Sequence, residues 1–182
     1  MTEGSPAPRG QQATWRFTAA DVLTVIRLPL AVAFVLIGNP VWRAVIVAVA
    51  SLSDLLDGYL ARHVGGSRLG LVLDPVADKL FMAAAFGVVA FSGALAWYEI
   101  VGVLLRDIVA TVMFVRTLAA HRPTAIPARW SGKAVTAAQV LTLFAFLGEW
   151  PILRPLAWLT TLVAAYSIWD YYRAAPVAGR RL

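Results

Sequence analysis

Residues 80–98 run for nineteen positions without a charged side chain. A helix that is apolar all round cannot lie on the surface of a soluble domain, whereas ~20 such residues cross the hydrocarbon of a bilayer. Five more apolar segments flank it, at about 22–38, 41–61, 100–118, 134–148 and 155–172. They predict an all-α, polytopic membrane protein of six transmembrane helices. Hydrophobic residues make up 60% of the chain and charged ones 14%, against ~45–50% and ~25% in an ordinary soluble domain. A very apolar soluble helical protein is the alternative, but its apolar residues would come as stripes rather than runs.

Several of the uncharged stretches are only about fifteen residues long. The helices must then carry polar groups within their spans, turned toward one another and away from lipid. The basic residues between the runs fix an orientation. Eleven fall in segments on the side of the N-terminus, and only two, Arg43 and Arg154, on the other. That bias places both termini on the cytoplasmic side of the cell membrane. Trp42, Trp97, Tyr98, Trp150 and Trp158 fall near the outer ends, as an aromatic belt would. The net charge of +6 therefore reads as topology, and no interleaving of aromatic and basic residues suggests a nucleic-acid partner. The absence of cysteine rules out disulfides and thiolate metal sites. Residues 1–12 read as a disordered tail without the apolar core of a signal peptide. Residues 13–175 form one membrane domain and 176–182 a C-terminal tail. Trp15, Arg16 and Phe17 could open a short interfacial helix.

Between Ser53 and Lys79 the chain reads SDLLDGYLARHVGGSRLGLVLDPVADK. Asp54 and Asp57 are three apart and Asp74 and Asp78 four apart, so each pair shares one face of a helix. Gly65 and Gly66 mark a turn between them. A helical hairpin about that turn would bring four carboxylates together at the inner end of two membrane helices. A buried carboxylate costs several kcal/mol unless it is paired or metal-bound. Lys79, Arg62 and Arg68 could pair with some of the four, giving an ion-paired hairpin. A cation path through a transporter is another reading. Hard oxygen donors at this density suit Mg²⁺ or Mn²⁺, and two such ions can grip a diphosphate. Gly58, Ala61 and Gly70 leave room beside the acids for a bulky ligand.

Asp54, Asp57, Gly58, Ala61, Arg62, Gly70, Asp74 and Asp78 resemble the signature of the CDP-alcohol phosphatidyltransferase family, D-x2-D-G-x2-A-R followed by G-x3-D-x3-D. The spacer here is one residue shorter, at the glycine turn. Asp21-x2-Thr24-x2-Arg27 with Pro29 resembles an N-terminal element of that family, with Asp in place of Asn. Arg106–Asp107 and Ser131–Gly132–Lys133 followed by Gln139 resemble downstream elements of its phosphatidylglycerophosphate and cardiolipin synthase branches.

The resemblance implies a homodimeric membrane enzyme with two divalent ions on Asp54, Asp57, Asp74 and Asp78. Asp78 is the candidate general base, and Gly58, Ala61, Arg62 and Gly70 line the CDP site. The reaction it implies moves a phosphatidyl group from CDP-diacylglycerol to an alcohol and releases CMP. Glycerol-3-phosphate is the expected acceptor, phosphatidylglycerol the next, and inositol phosphate the third. An acceptor that brings a phosphate needs cationic donors, and Arg116, Arg129 and Lys133 are the candidates.

Overall fold

A computed structural model describes the backbone of residues 19–64, 70–119 and 130–174, and the side chains of 24–56, 76–113, 115–116 and 130–173. The expected N-terminal tail and interfacial helix, the glycine turn with Arg68, the connection holding Arg129 and the C-terminal tail lie outside these residues. The described residues form six α-helices and no strand: α1 (Ala19–Leu36), α2 (Pro40–Val64), α3 (Gly70–Ser92), α4 (Trp97–Ala119), α5 (Trp130–Leu147) and α6 (Leu153–Ala174).

Three short connections, 37–39, 93–96 and 148–152, gather at one end of the bundle and make successive helices antiparallel. Each is held by local hydrogen bonds. Asn39 Oδ1 accepts from the N–H groups of Val41 (2.9 Å) and Trp42 (3.3 Å), so it caps α2 with Pro40 at the first helical position. Arg43 reaches back and donates from Nε to Phe34 O at 3.0 Å, satisfying a carbonyl at the end of α1. Gly93 turns left-handed at φ 71° after α3. Glu99 Oε2 then accepts from the Ala96 N–H at 2.8 Å, half of a capping box that starts α4. At the end of α5, Trp150 N–H reaches Ala145 O (2.8 Å) and Glu149 N–H reaches Phe146 O (3.2 Å). That double closure requires a left-handed residue, and Glu149 supplies it at φ 53°.

The third apolar run is displaced from its helix. The sequence places a segment at 80–98, whereas α3 starts at Gly70 and stops at Ser92, and Trp97 and Tyr98 open α4. Gly93 and the Glu99 cap set this boundary through backbone hydrogen bonds, to which hydropathy is blind.

One core joins all six helices, from Phe34 on α1 and Val47 on α2 through Phe81 and Phe86 on α3 to Val103, Leu143 and Ala157. α1 packs on both α2 and α3, α6 packs on α4 and α5, and α5 also touches α2 and α3. A Cβ on Gly102 would lie 2.5 Å from Thr161 Oγ1. Glycine there lets α4 and α6 approach closely, as small residues do between membrane helices. Outside the core the surface is apolar: Leu36, Leu55, Trp97 and Phe91 are 69–96% exposed. Among the described residues one helix, Trp130–Leu147, is by itself long and apolar enough to cross a membrane, and Thr24–Leu36 is a shorter apolar stretch.

Candidate active site

The end of the bundle opposite the short connections is polar. It holds the start of α1, the end of α2 and the start of α3. α1 contributes Arg27, which is buried, and α2 contributes Asp54. Arg27 Nη2 lies 3.2 Å from Asp54 Oδ1, and the Asp54 side chain remains 44% exposed. α3 contributes Asp78, within electrostatic reach of Asp54 and Arg27 and also of Asp107 and Arg106 on α4. Two carboxylates from different helices thus share the field of one buried guanidinium. The expected hairpin turns at 65–69, outside the described residues, and the described parts of α2 and α3 both pack on α1. Asp54 takes Arg27 as its ion partner, 27 residues away in sequence. Of the nearer cations that the sequence offers, the side chains of Arg62 and Arg68 lie outside the described residues. Lys79 lies within reach of Asp78, as expected, and of Asp107 and Arg106 on α4.

Asp57 lies on α2 one turn after Asp54, and Asp74 on α3 one turn before Asp78. Their side chains fall outside the described residues. So do those of Arg62 and Ala61 in the last turn of α2. Gly58 precedes them on the same helix and Gly70 is the first residue of α3. Among the described residues no group of three or more acidic or histidine side chains gathers as a metal cluster. The donors that can be placed, Asp54 and Asp78, are hard oxygen ligands suited to Mg²⁺ or Mn²⁺, and the half-exposed Asp54 is open to a ligand.

A second polar group adjoins the first. On α4, Arg106 Nη1 lies 3.2 Å from Asp107 Oδ1. On α5, Gln139 Nε2 donates to Asp107 Oδ2 at 2.6 Å and to Val103 O at 3.0 Å. Gly132 stands where a Cβ would come 2.7 Å from Arg106 Nη2. The bond between Gln139 and Asp107 was not foreseen. Its signal was present, since a lone carboxamide within the apolar run 134–148 must find a buried partner.

Two of the three candidate acceptor cations fall among the described residues. Arg116 is exposed in the last turn of α4. Lys133 is exposed at the start of α5, with Nζ 4.9 Å from the centre of the Trp130 ring. Beside it Ser131 Oγ donates to Asp170 Oδ2 at 2.9 Å. Arg129 lies outside the described residues.

A helical bundle with an apolar exterior and an ion-paired acidic centre at one end defines a membrane-enzyme class. The family follows from the sequence: the profile of the CDP-alcohol phosphatidyltransferases matches residues 17–169, and the chain belongs to that family of membrane transferases. It is similar to a protein of Escherichia coli (strain K12) named CDP-diacylglycerol--glycerol-3-phosphate 3-phosphatidyltransferase, 30% identical over 153 residues, 79% of this chain and 81% of that protein. A Mycobacterium tuberculosis (strain H37Rv) protein provisionally named phosphatidylglycerophosphate synthase is 33% identical over 159 residues, 82% of this chain and 74% of its own. A Mycobacterium bovis protein provisionally named cardiolipin synthase is 32% identical over 172 residues, 85% of this chain and 76% of its own.

Proposed function

We propose that this chain transfers the phosphatidyl group of CDP-diacylglycerol to glycerol-3-phosphate, giving phosphatidylglycerophosphate and CMP. The observation that carries the reading is the juxtaposition of Asp54 and Asp78 beside Arg27, on the two helices that also bear Asp57 and Asp74. Relatives named for this reaction support the choice of acceptor. Asp54, Asp57, Asp74 and Asp78 would hold two ions, Mg²⁺ or Mn²⁺. Bound there, such ions supply neutralisation of the diphosphate charge, which makes CMP a better leaving group. Asp78 takes the proton of the acceptor hydroxyl as its oxygen attacks the lipid-side phosphorus and the bond to the CMP oxygen breaks. Arg27 holds Asp54 in place. Gly58, Ala61, Arg62 and Gly70 leave space for and contact the CDP moiety, and Arg116, Arg129 and Lys133 attract the acceptor phosphate. The enzyme works as a homodimer with six spans and its acids at the cytoplasmic boundary, where a water-soluble nucleotide meets a lipid. Family membership sets aside the cation-transporter alternative.

Membranes supplied with labelled CDP-diacylglycerol and a panel of acceptors test the reading by thin-layer analysis. CMP release should need glycerol-3-phosphate, stop with EDTA and return with Mg²⁺ or Mn²⁺. Turnover with phosphatidylglycerol alone would instead make it a cardiolipin synthase, a second reading favoured by the mycobacterial relative of that name. Turnover with inositol phosphate alone would place it with the third acceptor. Mass measurement in lipid discs checks the dimer, and a monomer there would remove it.

A further inference from the structure

We infer that Gln139 is a positioning residue of the transfer reaction: through Asp107 it fixes the Arg106–Asp107 ion pair that adjoins the Asp54–Asp78 centre. The inference rests on the proposed role of the Asp54–Asp78 centre. Gln139 is 1% exposed in the middle of α5, and its carboxamide nitrogen serves α4 twice. One bond goes to Val103 O at 3.0 Å, the other to Asp107 Oδ2 at 2.6 Å. Together they use both hydrogens of the buried NH2 group. The second grips one oxygen of a carboxylate whose other oxygen holds Arg106 Nη1 at 3.2 Å. Asp107 therefore cannot turn without giving up one of its two partners. Across the helix interface Gly132 provides the space that Arg106 Nη2 occupies, since any Cβ there would stand 2.7 Å from it. Three features on two helices thus converge on one guanidinium: the carboxamide, the carboxylate and the missing side chain. The Asp107 carboxylate and this guanidinium both lie within electrostatic reach of Asp78, the carboxylate with the larger effect. Charges held in one place act on the centre without reorganising, which mobile ones do not. Neighbours that orient a functional group through one intermediate commonly change activity by roughly 10- to 100-fold when removed.

The test compares steady-state kinetics and thermal unfolding of purified variants in lipid. Gln139→Leu should lower kcat by roughly 10- to 100-fold while leaving the KM for CDP-diacylglycerol near its original value. Gly132→Ala supplies an arm free of the bond to Val103. Alanine is the better helix former, so the helix is not weakened, but its methyl displaces the flexible end of Arg106. It should lower kcat with no loss of melting temperature. The exchange Gln139→Glu with Asp107→Asn swaps carboxylate and carboxamide between the helices. The new carboxamide still donates across the interface and still accepts from Arg106. The bond to Val103 O stays lost, so rescue of kcat above either single variant without rescue of melting temperature marks positioning. Gln139→Leu that melts lower but turns over unchanged, or Gly132→Ala at full kcat, would overturn the inference. Asp78→Asn separates the two levels. If it is inactive while Gln139→Leu is fully active, only the inference fails. If Asp78→Asn retains full activity, the proposed centre fails and the inference with it.

Discussion

Arg27 is 1% exposed, yet its partner Asp54 keeps 44% of its side chain in contact with the surroundings. The arginine is therefore the buried member of the pair, and Asp54 the member available to a ligand. Removing one partner of a buried pair is strongly destabilising, whereas an exposed partner recovers its solvation. Arg27→Leu should thus cost about 1–3 kcal/mol, below the full penalty for a wholly buried pair, and should abolish CMP release by leaving Asp54 unheld. Arg27→Lys keeps the charge but loses the fork, and should fold better than it turns over. A fully active Arg27→Leu would remove Arg27 from the site. Asp57→Ala and Asp74→Ala should each abolish CMP release in a folded protein, as loss of a ligand from an open metal site does. Retention of activity in either would take that residue off the ligand list. The acids of this centre could be read in the sequence because their spacing is local, three and four residues on single helices. The partners could not. Arg27 to Asp54 and Asp107 to Gln139 are contacts between helices, and only packing decides which polar residue in one apolar run meets which in another.

Helix crossings and helix ends follow backbone geometry, and one of each gives a measurable expectation. Thr161 is β-branched and its Oγ1 is engaged with Ala157 O at 2.9 Å, so it cannot step aside for a methyl group on Gly102. Gly102→Ala should force α4 from α6 and destabilise by about 1–3 kcal/mol, read as a lower melting temperature. Glu149 sits in the left-handed conformation that ends α5, where a side chain costs roughly 1–2 kcal/mol. Glu149→Gly should raise the melting temperature, with part of that gain offset by the greater freedom of glycine in the unfolded chain. A lower melting temperature would show that the carboxylate itself is needed there. Six helices were legible because six runs of apolar residues are separated by polar or glycine- and proline-containing breaks. The extent of α3 was not. Its first turns carry Asp74, Pro75 and Asp78, residues that depress hydropathy but belong to the helix, and its end is set by Gly93 rather than by the first polar side chain.

At the scale of the molecule, the two ends of the bundle differ. Helices of 18 to 25 residues are about 27–37 Å long at 1.5 Å per residue, enough for a hydrocarbon layer of ~30 Å. Apolar side chains as exposed as Phe91 and Leu36 far exceed what a soluble surface carries without a partner. The short-connection end holds Trp42, Trp97, Tyr98 and Trp150, all exposed by 43–77%, as residues at a lipid–water boundary are. Of the two basic residues near it, Arg43 is occupied at the end of α1, donating to Phe34 O and lying 5.4 Å from the Phe34 ring centre. The chain has no cysteine, so single introduced thiols report each end without background. Gly38→Cys adds a side chain that meets nothing within 4 Å, and Tyr172→Cys replaces a residue that is 64% exposed near the end of α6. In intact cells a membrane-impermeant maleimide should label the thiol at position 38 and spare that at 172, which should react only after permeabilisation. The reverse pattern would invert the bundle and put the acids on the wrong side for a cytoplasmic nucleotide. Labelling of both in intact cells would mean that these two positions share one face, and an even number of spans between them, in place of the five expected from a six-span bundle.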